Sequence, residues 1–302
     1  MKKNNDEFVS SRKTPALKSI GTYDHSNMFE HMFMEDYTTG FSYHFVNSNR
    51  DFYKTNPIDC ELSRLLEHER YNYLGYEFQN MIMRIFRHML LRGKAYVEIE
   101  EIKEKDTLVG INFIPISAKK CFEIGKSSLF IGIGQDDKKA RFSVPKTHIL
   151  KFNMKSLGLK ENYYASKRKK MKKLDIIGYT NLTLDPQMNG IYDFSLVSQK
   201  IDRQKIKILK EIGWIARDAN NKSLSEMYML YQRARFLDFM WNSMEYIIRV
   251  INAGLQSLFD NKEMGEIVID IKKRDYFTKF AECCDEKISI DELSNFLYER
   301  EK

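Results

Sequence analysis

Glu98, Glu100, Glu101 and Lys103 are the residues whose types and spacing come nearest to chemistry. Glu101-Ile102-Lys103 is a Glu-x-Lys triplet of the kind a metal-dependent nuclease carries on a strand. Such a centre also needs an Asp on a neighbouring strand to complete the cation site. The upstream candidate, Asp59, has no strand pattern around it, so a solvent-facing acidic edge explains the carboxylates better. Further along, Asp285 to Glu292 resembles the exit half of an EF-hand loop, with Glu292 at the bidentate position. Ala281 and Cys283 then fall where hard oxygen ligands belong, and Glu286 where the turn needs glycine, so calcium is not expected. A capping box between Ser289 and Glu292 is the simpler reading. His25, His31, His44, His68, His88 and His148 show no metal-ligand spacing. Gly132-Ile133-Gly134 lacks the glycine and lysine-serine of a phosphate cradle. No serine elbow is present either, so no catalytic residue, metal site or cofactor is assigned.

Positive charge is the stronger signal. The formal net charge is +7, and Lys167, Arg168, Lys169, Lys170, Lys172 and Lys173 put six cations in seven residues. Such a run can contact phosphates and release counterions, giving affinity for nucleic acid without sequence preference. A solvated, flexible basic loop with no partner explains it equally well. Aromatic residues are not interleaved, so a stacking platform for single strands is not indicated. Cys60, Cys121, Cys283 and Cys284 form no disulfide framework and no Cys-x-x-Cys pair, and are read as reduced thiols.

The elements that must position these residues follow from periodicity. A content of 43% apolar and 30% charged residues describes a folded chain with a real core. No apolar run reaches membrane-spanning length, and no secretory signal is visible, so a cytoplasmic or virion protein is expected. Residues 1–55 read as an arm and an aromatic-rich segment, with a short strand at Tyr43 to Val46. Residues 56–160 read as a helix opening at Asn56-Pro57 and ending at Gly93, with a break near Asn72 to Gly75 as the alternative, then a small, mostly antiparallel sheet. Its strands are placed at Ala95–Glu101, Thr107–Ile116, Phe130–Ile133, Arg141–Val144 and His148–Asn153, with Lys103–Asp106 as a hairpin connection. Residues 161–302 read as mainly helical, with the basic loop, a helix over 194–212, a capping box at Ser223–Glu226 opening a helix to Phe259, and a late strand at 265–272. Trp214 and Trp241 fit either an interface stripe or core packing, with core the simpler choice. The class is α+β.

Residues 86–153 resemble the wing region of tailed-bacteriophage portal proteins. The match is carried by Leu90-Leu91-Arg92-Gly93-Lys94-Ala95-Tyr96-Val97-Glu98-Ile99, an apolar pair ending a helix, then a glycine and an acidic-apolar strand. A second strand leads to Pro115, and Val144-Pro145 precedes the Ile149–Phe152 strand. Lys94 stands where the family usually has asparagine, and Lys167 to Lys173 stands near where a small-residue and proline motif belongs. The resemblance implies a homo-oligomeric ring through which double-stranded DNA passes, with no catalysis by the subunit, and long helices packed side by side at 194–212 and 223–259. Two other classes stay open: a nucleic-acid-binding regulatory or host-defence protein acting through 167–173, and the metal-dependent nuclease.

Overall fold

The computed structural model describes residues 32–33, 35–36, 53–67, 76–116, 118, 120–133, 139–182, 203–204, 207–215, 225–259, 264–270 and 272–298. The architecture is α+β. Strand β1 (Tyr53–Asn56) is followed by helices α1 (Glu61–Glu67) and α2 (Tyr76–Arg92). The helix expected from Asn56-Pro57 therefore starts later. Asn56 pairs with Glu266 as the end of an antiparallel ladder in which Tyr53 opposes Ile269, and burying Tyr53 edge-on to Phe78 favours the strand there.

Beyond Gly93 run β2 (Lys94–Glu104) and β3 (Thr107–Pro115), joined by a turn at Lys105 and Asp106, both with positive φ. Strands β4 (Lys120–Ile124), β5 (Ser127–Ile133) and β6 (Lys139–Pro145) then form a meander. A 3₁₀ turn at Lys146–His148 leads into β7 (Ile149–Asn153), which returns to pair with β2 from Lys94↔Asn153 to Glu98↔Ile149. The single sheet expected from the sequence is thus two three-stranded sheets, β3-β2-β7 and β4-β5-β6. Ala95, Val97 and Ile99 point into the main core, so β2 must stay with the helices. The meander closes over a small cluster of its own, Ile116, Ala118, Phe130, Val144 and Ile149. Strand β4 escapes periodicity because nearly all its positions are exposed.

Helix α3 (Tyr163–Leu182) carries the basic run, which is helical where a loop was expected. The region 194–212 is helical at 203–204 and 207–208 and ends in a 3₁₀ turn, Lys210–Ile212; residues 194–202 lie outside the described residues, as does the strand expected at Tyr43 to Val46. Helix α4 (Glu226–Phe259) spans 34 residues, about 51 Å at 1.5 Å per residue. Its cap is Ser225, whose hydroxyl accepts the Tyr228 N–H at 3.3 Å, two residues later than the expected box at Ser223, which lies outside the described residues. Leu230, Phe236, Met240, Trp241, Met244, Ile247, Ile251 and Leu255 are buried along it, so α4 is the spine of the subunit's own core. From Leu230 to Leu255 its apolar face is occupied within the subunit, whereas Tyr228 and Tyr231 near its start are partly exposed. Strand β8 (Glu266–Ile269) is clamped to it by Asn252, whose side chain bonds both the N–H and the carbonyl of Ile267. Helices α5 (Tyr276–Cys284) and α6 (Ile290–Tyr298) close the chain, and Ser289 and Glu292 form the expected capping box, with Ser289 N–H donating to Glu292 Oε2 at 2.7 Å and Glu292 N–H donating to Ser289 Oγ at 3.1 Å. Trp214 and Trp241 are both buried. No helix among the described residues is long and apolar enough to cross a membrane.

Candidate polyanion-binding surface

Gly93 is the joint on which this surface is built. Its φ of +76° turns the chain from α2 into β2, and its N–H donates to Met89 O at 2.6 Å. Its carbonyl accepts the Met154 N–H at 2.9 Å, which ties the end of β7 to the start of β2. A Cβ at Gly93 would overlap the Glu161 carbonyl oxygen and lie 2.6 Å from its carbon. Only glycine allows the segment before α3 to sit so close.

Glu161 is held from the other side by cations, Lys94 at 2.9 Å and Lys155 at 3.6 Å. The Lys94 ammonium, with Lys155 behind it, holds the Glu161 carboxyl below the usual carboxylate range. Two clefts share Arg92 and Glu161 in their walls. One, of about 470 Å³, is also lined by His88, Lys94 and Lys120; the other, of about 490 Å³, by Lys155 and Lys160. Arg92 donates to the Ala118 carbonyl, fixing its guanidinium in the shared wall. Burial and the positive charges of Arg92, Arg87 and Arg84 push His88 down to about 4. The imidazole is therefore neutral at pH 7. Sequence reading missed these cations because they are spread over α2, β2, β4 and the turns around α3.

Helix α3 continues the basic surface. Tyr163, Tyr164 and Met171 are buried and dock it. Lys167 belongs to this docking side: its Nζ meets Glu211 Oε1 at 2.6 Å and lies 5.1 Å from the centre of the Tyr163 ring, while Tyr163 donates to Glu211 Oε2 at 3.1 Å. Arg168 and Lys172 are half-buried and engaged in contacts. Lys169, Lys170 and Lys173 are exposed. At about 100° per residue these three occupy one arc of about 100°, opposite Tyr164 and Met171, with Lys170 at the edge next to Tyr163. Of the six residues assigned to nucleic acid from the sequence, the structure brings these three together on one exposed stripe and uses Lys167 to hold the helix down.

The acidic candidates are placed differently. Glu98 is buried within the sheet, and Glu100 accepts a bond from Asn112 at 3.3 Å. Glu101 meets Lys103 at 2.6 Å and His148 at 3.6 Å. Asp59 lies in the turn before α1. Among the described residues no three His, Cys, Asp or Glu side chains come together as a metal site.

No family model matches the chain, and no curated protein does. Among solved structures it is similar to a chain from "Neck of native GTA particle computed with C12 symmetry", at 8% identity, 97% coverage of each chain and a TM-score of 0.41. A likeness at that identity and score says nothing of what this chain does.

Proposed function

We propose that the chain is a ring-forming structural subunit of the tailed-phage portal kind, which contacts passing double-stranded DNA through its phosphates and performs no catalysis. The observation that carries the reading is the Gly93 joint. It holds the α2–β2–β3–β7 unit, which follows the order of elements the wing resemblance implies, against the base of the basic helix. Lys169, Lys170 and Lys173 then face solvent on a helix anchored through Tyr163, Tyr164 and Lys167, so meeting a phosphate orders their side chains but not the backbone that carries them. Contacts of this kind position a duplex without reading its sequence.

Native mass spectrometry and negative-stain imaging test the ring: a closed oligomer with a central hole is expected, and a stable monomer at high concentration refutes it. Binding of duplex DNA tests the partner. Replacing Lys169, Lys170 and Lys173 together by Gln should flatten the log K against log salt slope by about 3, since each phosphate contact contributes about 0.9. An unchanged slope removes DNA from the reading. A monomer or dimer with a lysine-dependent slope favours the regulatory or host-defence class instead.

A further inference from the structure

The outer face of the β4–β5–β6 sheet carries large apolar side chains in the open. Phe122 is 47% exposed and Ile124 59%, and ladder pairing puts Leu129 beside Phe122 and Ile131 beside Lys120 on the same face. The opposite face, with Phe130 and Phe142, covers the small cluster. Lys120, Lys139 and Arg141 stand on the apolar face by register. Glu123, the one described carboxylate of these strands, lies on the other face, bound by Lys146 and Lys151. The patch is therefore apolar and cationic.

A second patch has the complementary character. Tyr228 and Tyr231 near the start of α4 are 36% and 38% exposed, and Phe277 of α5, 42% exposed, meets the Tyr231 ring at 6.4 Å. The segment 275–298 carries Asp275, Glu282, Asp285, Glu286, Asp291 and Glu292 against Lys279 and Lys287. The segment that supplies Phe277 is thus net acidic, although Arg235 lies 5.8 Å from the centre of the Tyr231 ring.

The two patches hang from opposite ends of α4. Met227 meets Cys283 of α5 at 3.9 Å, whereas Leu150, just beyond the meander, packs against Gly254. These anchor points are about 40 Å apart along the helix. Exposed apolar surface of opposite rim charge on two ends of one molecule suits a heterologous contact between copies, which closes into a ring when the rotation permits.

We infer that the outer face of β4–β5–β6 of one subunit docks on the Tyr228–Tyr231–Phe277 patch of a second copy, head to tail. The inference rests on the self-assembly reading above and names the surfaces that would carry it. The test uses two variants of the full chain, Phe122→Asp with Ile124→Asp, and Tyr228→Asp with Phe277→Asp, both checked for wild-type circular dichroism. Every substituted side chain is at least one-third exposed, so the fold should survive. Each variant alone should lose all species above monomer mass in native mass spectrometry. Mixed together they should form 1:1 dimers and nothing larger, because each keeps one intact face. Wild-type oligomers that persist in both variants, or a mixture that stays monomeric, overturn the proposed interface while leaving the ring reading standing. A monomeric wild type at all concentrations overturns both.

Discussion

Replacing Gly93 by Ala isolates the physical role of the joint. An alanine at φ of +76° costs about 1–2 kcal/mol in backbone strain alone. The new methyl would also overlap the Glu161 carbonyl, a backbone group that can yield only by moving the entry to α3. That movement strains the 2.9 Å bond between Met154 N–H and the Gly93 carbonyl, worth about 1 kcal/mol, and loosens the buried Tyr163 and Tyr164. A total of about 3–5 kcal/mol follows, which at about 2–3 °C per kcal/mol lowers Tm by about 10 °C. Gly158→Ala is the control, because Gly158 has φ of +75° but nothing within 4 Å of an added Cβ. It should cost only the strain, about 3–4 °C. Paired thermal melts followed by circular dichroism measure both. Equal losses in the two variants would refute the claim that Glu161 and the head of α3 rest on Gly93.

Other consequences can be checked separately. His88 has a folded pKa of about 4 against 6.5 unfolded, so below pH 6.5 the unfolded chain binds the proton first. Stability present above pH 6.5 should fall by up to about 3 kcal/mol as pH drops to 4, and His88→Gln should flatten that part of the denaturation profile; an unchanged profile places the acid sensitivity elsewhere. Phe130→Ala removes the fully buried centre of the small cluster. It should cost about 3–4 kcal/mol, with amide exchange accelerated in β4–β6 before α4; uniform acceleration would show that the meander does not open on its own. Ser289→Ala should cost about 1 kcal/mol by removing the cap of α6, read in urea melts.

Much of the local structure was legible because it depends on residues close in the chain. The Ser289–Glu292 box, the strands on either side of Gly93 and the helix ending at Phe259 all rest on spacing of a few residues. Asn56-Pro57 misled for the opposite reason. Its partner, Glu266, is more than two hundred residues away, and that pairing outweighed a good local helix start. The basic run read as a loop because its charge hides the three buried residues, Tyr163, Tyr164 and Met171, that dock it as a helix.

The order of residues alone determined the α+β class, the concentration of positive charge and the need for a glycine between α2 and β2. Only the tertiary structure decided which cations are available, since pairing Lys167 with Glu211 depends on a turn 44 residues away. It also decided that α4 is an internal spine and that β4 presents its apolar side chains outward. Periodicity records which faces of an element are apolar, whereas the neighbour that covers each face is chosen by contacts between segments remote in sequence.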